Sequence, residues 1–181
     1  MPPIRLAELH PIIVHFPIAL LIVSVCLDFS ALTLRRSGLT VAATWCLVLG
    51  VPGAVAALAS GWLSEHYVAV TGAAAVLLHL HKWSAVLTSV LFSALLAIRL
   101  VWLLPQILAY AGTVLPQHVK SLAAADRRLR MVLPVAYLPT PPRSVVAAYL
   151  FASVIGVGLL AITGYLGGAL VYDHAVGMPP P

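Results

Sequence analysis

Four long apolar runs dominate this sequence: about Pro11 to Leu34, Thr40 to Leu63, Ala75 to Leu104 and Ser144 to Tyr172. Each supplies at least the ~20 residues that a helix needs to cross about 30 Å of hydrocarbon. They are rich in Leu, Ala and Val and show no strict two-residue alternation. Helices that satisfy their own backbone in lipid are therefore expected in place of a barrel. The fold class read from this pattern is all-α, an integral-membrane four-helix bundle. Composition agrees: 8% of residues are charged and 62% hydrophobic, where a soluble domain carries about 25% charged residues. The first run is too long for a signal-peptide core and is expected to stay as an anchor.

Charge placement predicts the topology. Arg35 and Arg36 separate the first two runs. Arg99, Lys120, Arg127, Arg128, Arg130 and Arg143 lie at or within the connection between the third and fourth. Arg5 and Lys82 fall toward the other side. The positive-inside rule then puts both termini outside, with the chain in a bacterial cytoplasmic membrane. The net charge of +5 points to contact with anionic lipid, not nucleic acid. Within the long basic connection, residues 105–143, Ser121 to Leu133 reads as an amphipathic surface helix. Cys26 and Cys46 lie inside the first two runs and read as small packing residues, with a disulfide open in principle.

The histidines share one face. His10 and His15 open the first run, His66 ends the second, His79 and His81 open the third, and His174 ends the fourth. Only His118 falls on the cytoplasmic side. Imidazole is the usual axial ligand of haem b and a common ligand of copper and zinc. Two helices of a bundle can each offer one across the core. His79 and His81 differ by about 200° around a helix and His10 and His15 by about 140°. Neither of those two pairs can serve one ion. His15 and His81 are the first choice as haem-iron ligands, with His174, His79, His10 and His66 in reserve. In this reading His10 caps the first helix and Pro11 is its first residue. Pro17 bends the helix beside His15, and the glycines of the second and fourth runs make room for a flat cofactor. Asp28 is either a proton-relay group or a carboxylate bonded to a Ser, Thr or Arg neighbour. No CxxCH or HExxH motif occurs, so covalent haem attachment and zinc-protease chemistry are not expected.

His10-Pro11, Val14-His15-Phe16-Pro17-Ile18, His81-Lys82-Trp83 and Gly164-Tyr165-Leu166-Gly167-Gly168-Ala169-Leu170-Val171-Tyr172 with His174 together resemble the DUF2231 family of four-helix bacterial membrane proteins. The resemblance covers nearly the whole chain apart from the Pro105 to Arg143 connection. Members of that family occur joined to cytochrome c or Rieske-type modules, which implies a redox context at the outer face.

These readings predict a b-type cytochrome subunit that carries electrons at the outer face. Its expected partners are membrane lipid, a cytochrome c or Rieske-type protein and a quinol, and it can be an oligomer. Two alternatives stand beside it. One is a copper or zinc site built from three or four of the same histidines. The other is a cofactor-free anchoring subunit. No acid–base pair, nucleophile or phosphate loop points to an enzyme acting alone.

Overall fold

The computed structural model describes residues 6–68, 70–114 and 141–177. They form four helices: α1 (Leu6–Leu34), α2 (Ser37–Glu65), α3 (Ala73–Val114) and α4 (Arg143–Tyr172). No strand occurs among the described residues. All four helices are long and apolar enough to cross a membrane. The 29 residues of α1 extend about 44 Å at 1.5 Å per residue. α1 packs along α2, and α3 along α4. Contacts of α2 with α3 and of α4 with α1 close the ring, which leaves α1 and α3 facing each other across its diagonal. The α1–α2 connection is only Arg35 and Arg36. Arg35 takes a left-handed φ of 52°, and the Arg36 N–H reaches back to the Ala31 carbonyl at 3.3 Å, a helix-terminating turn.

Two boundaries differ from the sequence reading. α1 begins at Leu6, so Pro11 is its sixth residue and His10 lies within a helical turn. The sequence from Leu6 to Leu9 favours helix, and Pro11 forfeits one backbone bond without breaking it. Pro17 is buried against α2, where a Cβ added at Gly53 would stand 3.3 Å from the proline ring. α3 continues beyond Leu104 to Val114. His118 and the basic Ser121 to Leu133 stretch lie outside the described residues.

Burial is inverted relative to a soluble protein. Phe16, Trp45, Phe151 and Tyr165 are all more than half exposed, and an apolar exterior of this extent belongs against lipid. Inside, Leu21, Leu47, Phe92 and Leu95 form the core together with buried Ser24, Thr88, Ser89 and Ser153. Lipid tails are as apolar as leucine, so close packing and interhelical hydrogen bonds hold such helices together. Ser24 Oγ, for example, donates to the Ala43 carbonyl of α2 at 2.8 Å. Cys26 and Cys46 are free thiols.

Candidate functional site

Two polar layers interrupt the apolar core, one near each end of the bundle. At the end holding the α1–α2 turn, Arg99 of α3 is buried and ion-paired with Asp28 of α1. Its guanidinium donates to Thr44 Oγ1 of α2 at 3.1 Å and to the Tyr149 hydroxyl of α4 at 3.0 Å. It also sits 4.9 Å from the Tyr149 ring centroid, within cation–π reach. One residue from each helix thus meets at Arg99. The sequence reading placed Arg99 among the charges of the inner connection, and the fold corrects that. Its charge is neutralised inside the bundle, because an arginine with a carboxylate one bundle-width away has nowhere cheaper to be in lipid. Asp28 takes the arginine-bonded form of the two readings left open above.

At the other end, His10 of α1 and His81 of α3 meet across the diagonal. Their ring centroids are 6.2 Å apart and their planes 83° apart. His10 Nδ1 lies 3.0 Å from the Ala57 carbonyl of α2 and 3.1 Å from Ser60 Oγ. His81 Nδ1 lies 3.0 Å from the Thr163 carbonyl of α4. A carbonyl only accepts, so each Nδ1 carries the proton and donates it. Each Nε2 therefore keeps its lone pair, and among the described residues neither Nε2 takes a hydrogen bond. Gly61 and Gly167 make the arrangement sterically feasible. A Cβ at either would approach the neighbouring imidazole Cε1 to 3.0 Å. These two glycines seat the histidine rings, whereas Gly158, Gly164 and Gly168 face open space.

Beneath His81 the polar layer continues. Thr163 Oγ1 donates to Ser84 Oγ at 3.0 Å, and Thr88 Oγ1 lies 3.4 Å from it. Toward the bundle end, Lys82 and Glu65 pair at 2.6 Å, half-exposed and joining α2 to α3. The other candidates stand apart. His15 is exposed, its Nδ1 bonded to the Pro11 carbonyl of its own helix. His66 is exposed and bonded to the Trp62 carbonyl at 3.0 Å. His79 is exposed with its ring 6.2 Å from that of Trp83, and His174 is exposed beyond α4. Among the described residues no three His, Cys, Asp or Glu side chains cluster as a metal site.

The sequence held a signal for the pair. From Asp28, helical steps back through Ser24, Leu21 and Pro17 reach His10. From Arg99, steps back through Leu95, Phe92 and Thr88 reach His81. All eight residues in these two stripes besides the histidines are buried. Starting α1 at Pro11 hid this, because it left His10 outside the helix.

A ring of four membrane-spanning helices, carrying an imidazole pair at one end and a buried ion pair at the other, defines a class of polytopic α-helical membrane protein. The chain belongs to the DUF2231 family, described as predicted membrane proteins, whose family model matches residues 7–180. No curated protein and no solved structure matches it.

Proposed function

We propose that the protein is a membrane electron-carrying subunit in which His10 and His81 hold one haem b from opposite sides. The observation that carries this reading is the pair itself: two inward imidazoles on facing helices, each fixed by an Nδ1–H bond to a neighbouring backbone carbonyl. Metal–imidazole bonds of about 2.0 Å set the two coordinating nitrogens about 4 Å apart, hence the ring centroids about 6 Å apart. The 6.2 Å separation of the ring centroids matches that length. Carbonyl partners on the far nitrogen orient ligating histidines and raise their basicity. Haem supplies reversible one-electron chemistry when bound. The chain's own residues orient the two ligands through the Ala57 and Thr163 carbonyls. Zinc would want four ligands, and the described residues bring two histidines together. The copper or zinc alternative therefore has less support.

An absorption spectrum of protein purified after haem-replete expression tests the proposal. A Soret band with six-coordinate low-spin features is expected, and its absence would end this reading. One observation favours a second reading. The same Nδ1 bonds tie α1 to α2 and α3 to α4, which is what a cofactor-free anchoring subunit would need. Partner activity that survives a stably inserted His10→Ala/His81→Ala variant would support that reading.

The face on which the histidines lie decides the partner. Arg35, Arg36 and Arg143 are exposed at the Asp28–Arg99 end, while Lys82 at the histidine end is paired with Glu65. With Arg99 set aside, the positive charge still favours that first end as cytoplasmic. The histidines then sit at the outer face of a bacterial cytoplasmic membrane. There they would exchange electrons with a quinol or with a cytochrome c or Rieske-type protein. A cysteine at Glu8 or Gly177 should react with a membrane-impermeant thiol reagent in cells whose outer membrane alone is permeabilised, and one at Arg128 should not. The reverse pattern would move the exchange to the cytoplasm.

A further inference from the structure

The two halves of the bundle match at a set of buried and site positions. A shift of 71 residues carries α1 onto α3: His10 falls on His81, Leu21 on Phe92, and Asp28 on Arg99. The first two residues touch across the axis as rings, and the last two as the ion pair. Leu21 and Phe92 are both fully buried in the one core between those layers. A shift of 106 carries α2 onto α4. Ala57, which accepts from His10, falls on Thr163, which accepts from His81. Gly61, which seats His10, falls on Gly167, which seats His81. Gly50, packed on Leu21, falls on Gly156, packed on Phe92. The surrounding residues also agree: Val48-Leu49-Gly50-Val51 lies on Val154-Ile155-Gly156-Val157. Ala43, Leu47, Gly50 and Ala54 are buried on α2, and Tyr149, Ser153, Gly156 and Leu160, the same four places, are buried on α4.

Helix geometry explains why these positions matter. Eleven residues are about three turns and eighteen are five. His, Leu or Phe, and Asp or Arg therefore lie on one stripe of each helix, about 16 Å and 27 Å below the histidine. The regularity of any bundle makes burial recur, but it does not make the chemistry recur. Histidine on histidine, glycine on glycine twice, and a carbonyl acceptor four residues before each seating glycine need a further cause. The shifts differ by 35 residues (106 less 71): α3 runs nine residues past the counterpart of Leu34, and the connection after Val114 is 26 residues longer than Arg35 and Arg36. The long connection is thus extra chain in the second of two otherwise matching hairpins.

We propose that α1–α2 and α3–α4 are two copies of one helix hairpin, related by a twofold axis along the bundle, as in parallel-repeat membrane folds. The histidine site is therefore two-sided. Each copy supplies one imidazole, one orienting carbonyl and one seating glycine, and the ligand that fits presents the same chemistry to both. A single metal ion, bare or at the centre of a flat macrocycle, meets that description; an elongated, head-to-tail substrate does not. Only the ligand's identity rests on the haem reading, because the repeat is read from the chain alone. At the layer of Asp28 and Arg99 the copies have become complementary, so each half is specified for the other and not for a second copy of itself. Two arginines or two aspartates there would repel.

Two measurements on the full-length chain test the duplication, and neither depends on a bound cofactor. In the first, Leu21→Phe with Phe92→Leu exchanges repeat-equivalent positions, where a glycine faces each side chain. Leu47→Phe with Phe92→Leu exchanges the same residue types at non-equivalent buried positions, since the counterpart of Leu47 is Ser153. The first double variant should keep a melting temperature in detergent near that of the parent, and the second should lose it. Equal damage from both exchanges would overturn the proposal. In the second, spin-label pairs at the lipid-facing positions Val23 with Phe151, and Ala94 with Trp45, are exchanged by the axis. Their distance distributions should coincide. Distinct distances would overturn the twofold relation even if every core variant failed to insert. A Soret band absent while the distances coincide would remove the haem reading and leave the two-sided site standing.

Discussion

Replacing Asp28 by leucine is expected to destabilise the bundle by about 3–5 kcal/mol, the usual cost of stranding one member of a buried ion pair. Arg99 would keep Thr44 and Tyr149 but lose its counter-charge, and a guanidinium cannot shed its proton. Arg99→Leu should cost less, because a stranded carboxyl group can neutralise itself by taking one. Asp28→Leu with Arg99→Leu should recover much of the loss, since a buried pair gains little over well-packed apolar residues. The Nε of Arg99 has no partner among the described residues, which lowers the pair's net worth further. Thermal unfolding of detergent-solubilised protein, read in the order Asp28→Leu below Arg99→Leu below the double variant, checks this. A double variant no better than Asp28→Leu would mean that the layer acts through shape and not charge.

The second large effect belongs to the histidines. If the proposed haem and the proposed twofold repeat hold, His10→Ala and His81→Ala should each abolish six-coordinate haem binding, and to the same degree. His15→Ala, His66→Ala, His79→Ala and His174→Ala should leave haem content unchanged, since those side chains are exposed on the bundle surface. Gly61→Val and Gly167→Val should act at one remove. A Cβ there stands 3.0 Å from the ring, and displacing the ring breaks its bond to Ala57 or Thr163. Loss of such an orienting partner typically weakens metal binding by about 10–100-fold. Haem per protein, measured by titration against each purified variant, separates these classes. Haem lost with His15→Ala and retained with His10→Ala would restore the pairing first read from the sequence.

The choice of His10 over His15 in the proposed pair shows where sequence reasoning stops. The angular argument separates His10 from His15, and likewise His79 from His81. It could not choose within the first pair, because the choice depends on where α1 begins. Depth in the apolar run favoured His15, yet helix phase set by buried Leu21, Ser24 and Asp28 turns His10 inward. Arg99 was misread for a related reason. Its place near the end of an apolar run looks like a loop charge until Asp28 is found opposite it.

Four apolar runs of spanning length, and the scarcity of charge, determine a four-helix membrane fold without any tertiary information. Backbone groups in lipid must be satisfied within each segment, and only helices of that length do so locally. The side chains that meet are not determined locally. His10 with His81 and Asp28 with Arg99 are 71 residues apart, on helices that touch only across the bundle's diagonal. Their meeting depends on the rotation of each helix about its own axis, which close packing fixes through Gly50 on Leu21, Gly156 on Phe92, and Gly61 and Gly167 on the two imidazoles.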